Sequence, residues 1–299
     1  DITKGWHPNL RRQLSFEDVY VRRMDARESI AGGTLLAYMT ATLSGACVPY
    51  AIIVGLQYKK YGFILLAFLG SIAMFSVDGT KSSMARPIIA VIIFYIASYM
   101  NLKNVAQNLL IGVLALLCLG VIAEVIIESD VISTYISRRL FVTPSHLGTY
   151  YWEFFTENPL VFMRDSALLR NTFTSPYPNP VPMVIGLTYF GDEINNANSG
   201  IWPSAYAHFG LIGVAITSVI AAIILKLVDN LSENRCYVAG CVISTMISMI
   251  WVEQSLHTSL LSSGVFALIV GLYWFPKENL NSESKALLAG ERQASYNAN

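Results

Sequence analysis

Apolar runs recur along this chain, and about twenty such residues suffice to cross the roughly 30 Å hydrocarbon core of a bilayer as a helix, although the runs at Pro87 to Met100 and Gly264 to Phe275 are short and must tilt or borrow from their flanks. Backbone inside hydrocarbon must satisfy its own hydrogen bonds, so these runs can only be helices. Irregular sequence between them has to sit in water or at the membrane surface. Seven crossings are read: Ile30 to Gln57, Gly62 to Val77, Pro87 to Met100, Val105 to Ile127, Tyr206 to Val228, Cys236 to Trp251 and Gly264 to Phe275. The predicted fold is therefore all-α, a polytopic integral membrane protein. Composition agrees: 13% of the residues are charged and 54% hydrophobic, where a soluble domain carries about twice that charged fraction.

Polar sequence divides the chain into five parts. Residues 1–29 form a basic, amphipathic segment too polar to span. A four-helix membrane part covers 30–127; its Gly32, Gly33, Gly45 and Pro49 imply close packing and a kink in the first helix. A polar insert occupies 128–205, a three-helix membrane part 206–275, and a polar tail, expected to be disordered, 276–299. The chain opens on Asp1 with no signal peptide, so either its start is processed or upstream sequence is absent.

Several functions are excluded early. Twenty basic and 20 acidic residues leave no net charge and no basis for nucleic-acid binding. The GTKS at Gly79 to Ser82 lacks the glycine directly before the lysine that a phosphate-binding loop requires. Cys47, Cys118, Cys236 and Cys241 lie in apolar segments without CxxC spacing and read as buried free thiols. No two histidines have metal-ligand spacing, so no metal is expected.

Orientation follows from charge in the short links, where basic residues favour the cytoplasm. Tyr58 to Tyr61, Asn101 to Asn104 and Asp229 to Arg235 with Lys226 share five basic residues, against Lys81 and Arg86 on the opposite side. The insert is thereby placed outside the cytoplasm, together with residues 1–29 and their six basic residues. Arginines kept on the outer face against this bias suit an anion, and a lipid-linked phosphate is the obvious candidate.

Four segments carry a resemblance: VYVRRMDARESI before the first crossing, DGTKS after the second, SRRLFVTPSHLGTYYWEFFTENP from Ser137 to Pro159, and YFGDEINNANSGIWPSAYAHFGLIGV from Tyr189 to Val214. In these the chain resembles the O-antigen polymerases, the bacterial oligosaccharide repeat-unit polymerases. The resemblance implies ten or more crossings, so this chain reads as lacking its N-terminal helices. It implies glycosyl transfer at the periplasmic face of the bacterial inner membrane, in which a glycan moves from a polyprenyl diphosphate carrier onto the non-reducing end of another carrier-linked repeat unit. The expected partners are the undecaprenyl-diphosphate-linked oligosaccharide, membrane lipid and a chain-length regulator protein. Neither a cofactor nor a nucleotide sugar is implied.

That reaction requires charge for the departing diphosphate, a base for the acceptor hydroxyl and a place for the glycan. Arginine suits the first because its planar fork holds two phosphate oxygens and keeps its proton. Arg138, Arg139, Arg164 and Arg170 lie in the insert, with Arg22, Arg23, Arg27 and Lys81 on the same face; Arg139 and Arg27 are favoured. Headgroup anchoring is the alternative reading. His146, seven residues past Arg139, is the favoured base because an imidazole titrates near neutrality, with Glu153, Asp192 and Glu193 as rivals. Glu253 and His257 have i, i+4 spacing and would share one helix face, while His7 and His208 look isolated. Tyr150, Tyr151 and Trp202 are the aromatics expected to stack on sugars, although interfacial anchoring explains such rings equally well. The proline run Thr174 to Pro182 is expected to be a stiff, non-helical rim. Asn195, Asn196 and Asn198 are expected to reach sugar hydroxyls or to cap the following helix.

Two competing functions remain. An O-antigen ligase would use the same donor with a lipid A-core acceptor. A carrier-lipid flippase or transporter would also need arginines, but no internal repeat is visible and the polar residues concentrate in one outer segment, not at mid-membrane.

Overall fold

The computed structural model describes residues 39–78, 81–99, 102–127, 142–166, 169, 172–192 and 195–276. All regular structure among them is helical: a π-helical turn at Leu43–Cys47, then α1 (Val48–Gln57), α2 (Tyr61–Asp78), α3 (Lys81–Tyr99), α4 (Leu102–Ile127), α5 (Thr143–Glu157), α6 (Val181–Phe190), α7 (Ile201–Asn234), α8 (Tyr237–Glu253), α9 (Leu256–Leu261) and α10 (Val265–Trp274). Three helical stretches are long and apolar enough to cross a membrane: Met39–Gln57, Ser82–Tyr99 and Ile201–Asn234. The other apolar helices in the expected crossings, Tyr61–Ser76, Leu110–Ile122, Tyr237–Glu253 and Val265–Trp274, are shorter than that.

The bundle core is built from α1, α3, α7, α8 and α10, where Ile52, Ile53, Ala90, Ile243, Ile247 and Leu268 have no exposed surface. Apolar side chains also point outward, including Leu65, Leu66, Leu119 and Ile126, as expected of helices whose solvent is hydrocarbon. Cys47 and Cys118 share that outer face. All four cysteines are free, but these two are exposed rather than buried as the apolar context had suggested.

Contacts between links define two ends. At one, Tyr58 stacks on Phe275 with ring centroids 5.7 Å apart. There too Arg235 Nη1 donates to the Phe275 carbonyl (3.5 Å) and its guanidinium lies 5.2 Å from the Tyr273 ring centre. At the other end Arg86 pairs with Glu253 (3.7 Å) and Thr42 Oγ1 donates to the Ser262 carbonyl (2.7 Å). Gly200, the last residue before α7, packs there against the carbonyls of Trp251 and Val252. The links Tyr58 to Tyr61 and Asp229 to Arg235 thus share one end, opposite Arg86 and the insert.

α7 folds back on itself. Its backbone leaves helical geometry at Phe209 (φ −138°, ψ 15°) and Gly210 (φ 61°, ψ −149°). Trp202 Nε1 donates to Ser218 Oγ at 3.1 Å although the two are 16 residues apart, a separation of about 24 Å along a straight helix. Residues 201–208 are therefore one arm and 211–234 another, lying side by side. Gly210 occupies a φ, ψ region essentially closed to residues with a Cβ, and a Cβ on Gly213 would collide with the Ala205 carbonyl of the opposing arm. The carbonyls of Ala207 and His208, freed by the reversal, accept instead from Val161 N–H (3.0 Å) and Phe162 N–H (3.1 Å). The expected crossing Tyr206 to Val228 is corrected accordingly. Tyr206 to His208 belong to the first arm, and the straight part long enough to cross is 211–234, about 36 Å at 1.5 Å per residue.

The insert has its own small core of Tyr151 and Phe155 from α5, Val161, Val181 and Ile185 around α6, and Ala197, closed by Ala207 of α7. The proline run is irregular through Pro180, then α6 begins at Val181 with Pro182 in its first turn, where a missing N–H costs no hydrogen bond.

Candidate functional site

Three elements distant in sequence bring Asp165, His208 and His257 together at the insert end of the bundle. His208 is the last helical residue before the α7 reversal and is 5% exposed. Asp165 comes from the loop that caps the freed carbonyls. His257 comes from α9, because the chain breaks at Gln254 and Ser255 after α8 ends at Glu253. Asp165 Oδ1 lies 3.8 Å from His208 Nδ1, and the two imidazole rings meet edge to face with centroids 5.7 Å apart.

Hydrogen bonding sets the protonation of this group. His208 Nδ1 accepts the Met163 N–H (3.3 Å), so the ring is neutral with its proton on Nε2, and the 3.8 Å approach to Asp165 is not an ion pair. Asp165 Oδ2 accepts the Val181 N–H at the start of α6 (3.1 Å). Asp165 Oδ1 is buried and has no hydrogen bond among the described residues. Phe162 and Met163 hold φ of 52° and 59°, a left-handed geometry that residues with side chains seldom adopt. Burial pushes the His257 imidazole down from its ordinary value, opposed in part by the Asp165 charge. Burial also pushes the Tyr151 phenol up, and the neighbouring Asp165 adds to that effect.

At the same end of the bundle, Arg86 Nη1 donates to Ser44 Oγ (3.1 Å), which bonds Ser83 Oγ (3.4 Å), while Nη2 faces Glu253. Two expectations are corrected by this arrangement. Glu253 and His257 do not share a helix face, because Ser255 begins a new helix between them and accepts the Thr258 N–H. His208 is not isolated.

The other predicted site residues distribute as follows. Arg22, Arg23, Arg27, Arg138, Arg139, Arg170 and Glu193 lie outside the described residues, and Lys81 opens α3. His146 and Glu153 are exposed on α5, His146 with its ring 6.2 Å from that of Tyr150. Arg164 lies over the Phe162 ring, 5.5 Å from its centre. Tyr150 stacks on Tyr189 (4.3 Å, 17°) and keeps partial exposure. Tyr151 is 1% exposed with its hydroxyl on the Ala197 carbonyl (3.0 Å), so it cannot offer a face to a sugar, and that assignment is corrected. Trp202 is 48% exposed. Asn198 is half-buried with its N–H on the Asn196 carbonyl (2.8 Å), and α7 is N-capped by Gly200 with no side-chain bond, so the asparagine amides do not cap it.

Asp165 went unnoticed in the sequence because nothing near it forms a motif; its partners lie 43 and 92 positions away in numbering. A signal for His208 did exist in AHFGLIG, where two glycines flank apolar residues that a plain crossing helix would not require. No group of three His, Cys, Asp or Glu side chains among the described residues is arranged to hold a metal ion. Comparison with protein-family models, curated proteins and solved structures finds no match for this chain.

Proposed function

We propose that this chain is a multi-pass glycosyltransferase of the bacterial inner membrane that polymerises polyprenyl-diphosphate-linked oligosaccharide repeat units at the periplasmic face. In this reading the chain crosses the membrane seven times, with the insert outside. The observation that carries it is Asp165 Oδ1: a buried carboxylate oxygen without a hydrogen bond among the described residues, beside the His208 imidazole at the insert end of the bundle. Leaving a buried acceptor unpaired costs on the order of 1–3 kcal/mol, a cost that folds tolerate where the group has work to do.

Once substrate binding uncovers Asp165 Oδ1, which has no exposed surface in the structure, the acceptor hydroxyl gives its proton to that oxygen as its own oxygen attacks the anomeric carbon, and the bond from that carbon to the diphosphate breaks. Charge gathering on the diphosphate is met by arginine: Arg164 at the α7 reversal, with Arg139 and Arg27 as the sequence-based candidates. Neutral His208 holds the Phe162 and Met163 backbone in place through Nδ1 and so positions Asp165.

Deleting the gene and profiling surface glycan on lipopolysaccharide tests this. Single-repeat glycan is the expected result. Complete loss of glycan from lipid A-core would favour the ligase instead, and an unchanged chain-length ladder would overturn glycosyl transfer altogether.

A further inference from the structure

The first arm of α7 and its reversal carry apolar surface that no other described element covers. Phe162, Trp202, Phe209, Leu211 and Ile212 are 47%, 48%, 40%, 65% and 72% exposed. Tyr206 is covered by α5, whose Trp152 stacks on its ring with centroids 4.3 Å apart, so the open surface is that of Trp202 on the arm and of Phe162, Phe209, Leu211 and Ile212 at the reversal. The second arm also carries outward apolar side chains, Ile216, Val219 and Ile223 at 53%, 60% and 61% exposed, the surface that a crossing by 211–234 would present to lipid.

The polar atoms on this face do not behave as atoms facing water. Trp202 Nε1 donates to Ser218 Oγ (3.1 Å), and that hydroxyl donates onward to the Val214 carbonyl (2.8 Å). Tyr206 OH bonds Thr156 Oγ1 (3.0 Å), which donates to the Trp152 carbonyl (2.6 Å). The two backbone carbonyls released by the reversal are closed by Val161 and Phe162. In water, half-exposed groups need no protein partners; in hydrocarbon each unpaired group costs several kcal/mol, and irregular backbone survives only when its bonds are closed internally.

We infer that the α7 reversal is a membrane-embedded elbow: residues 201–212, with Phe162 beside them, pack against the acyl chains of bulk bilayer phospholipid. Arg164, lying over Phe162, then has its guanidinium at the height of the lipid phosphates, where arginine side chains reach from buried stems. This places the surroundings of His208 below the headgroups and not in a free periplasmic loop. The inference stands on packing and hydrogen bonding alone and is independent of the proposed reaction.

The test uses the full chain in phospholipid nanodiscs with native cysteines replaced. Spin labels at Phe162→Cys, Phe209→Cys and Ile212→Cys are compared with a lipid-facing reference at Val219→Cys and a water-facing reference at Thr174→Cys. Elbow labels should match Val219, colliding with oxygen severalfold more than with a water-soluble nickel chelate; a pattern matching Thr174 would overturn the inference. A second measurement needs no substitution. A phospholipid carrying a photoactivated diazirine on its acyl chain should label wild-type peptides covering 201–212, whereas labelling that begins only beyond residue 213 would overturn it equally.

Discussion

Asp165 accepts a hydrogen bond through Oδ2 and, among the described residues, none through Oδ1, so its structural role can be tested apart from the proposed chemical one. Asp165→Asn keeps the shape and can place an amide N–H toward His208 Nδ1, removing the apposition of two acceptors seen at 3.8 Å. The melting temperature of Asp165→Asn in detergent should therefore match or exceed that of wild type while chain extension is lost, a fall on the order of a hundred- to ten-thousand-fold for removal of a general base. A variant that both melts low and extends chains in proportion to folded protein would mark Asp165 as structural. His257 gives a separate test at the same scale. Because burial holds it below its ordinary value near 6.5, unfolding takes up a proton at lower pH. Its contribution to stability is complete above about pH 6.5 and is lost as pH falls below that value. Thermal melts should steepen their decline below about pH 6.5 in wild type and flatten in His257→Gln; parallel curves would remove His257 from the titrating set.

The α7 reversal is the element that assembles the site, since it turns His208 inward and frees the carbonyls that anchor the Asp165 loop. Gly210→Ala places a Cβ in a φ, ψ region that costs about 1–3 kcal/mol, and Gly213→Ala drives a methyl into the Ala205 carbonyl. Both variants should lower the melting temperature and raise proteolytic cleavage near residue 162; a Gly210→Ala protein as stable as wild type would mean that the arms do not meet. Helical content was readable in sequence because long apolar runs leave the backbone few alternatives, and three of the helices are long and apolar enough to cross a membrane. The reversal was not, because Tyr206 to Val228 is apolar on both sides of Gly210 and reads as one helix. The gathering of Asp165, His208 and His257 was hidden for a different reason: no local pattern links a loop, an elbow and a short helix that meet only through tertiary packing. His146 and Glu153, chosen for their nearness to Arg139 in sequence, lie instead on the exposed side of α5.

Across the whole molecule, two links with basic residues, Tyr58 to Tyr61 and Asp229 to Arg235, meet at the end marked by Phe275, and the described part of the insert lies at the other. If basic residues lie on the cytoplasmic side, position 145 is expected to face the periplasm and position 230 the cytoplasm. A membrane-impermeant maleimide on intact spheroplasts should label Ser145→Cys and spare Asn230→Cys; the reverse pattern would invert the orientation and move the site to the cytoplasmic face. The polymerase reading itself is tested most directly by supplying purified protein in nanodiscs with a polyprenyl-diphosphate-linked repeat unit and resolving the products by mass. Wild type should build a ladder of added repeats that Asp165→Asn does not build. Absence of any ladder from folded wild type, or an equal ladder from Asp165→Asn, would contradict it.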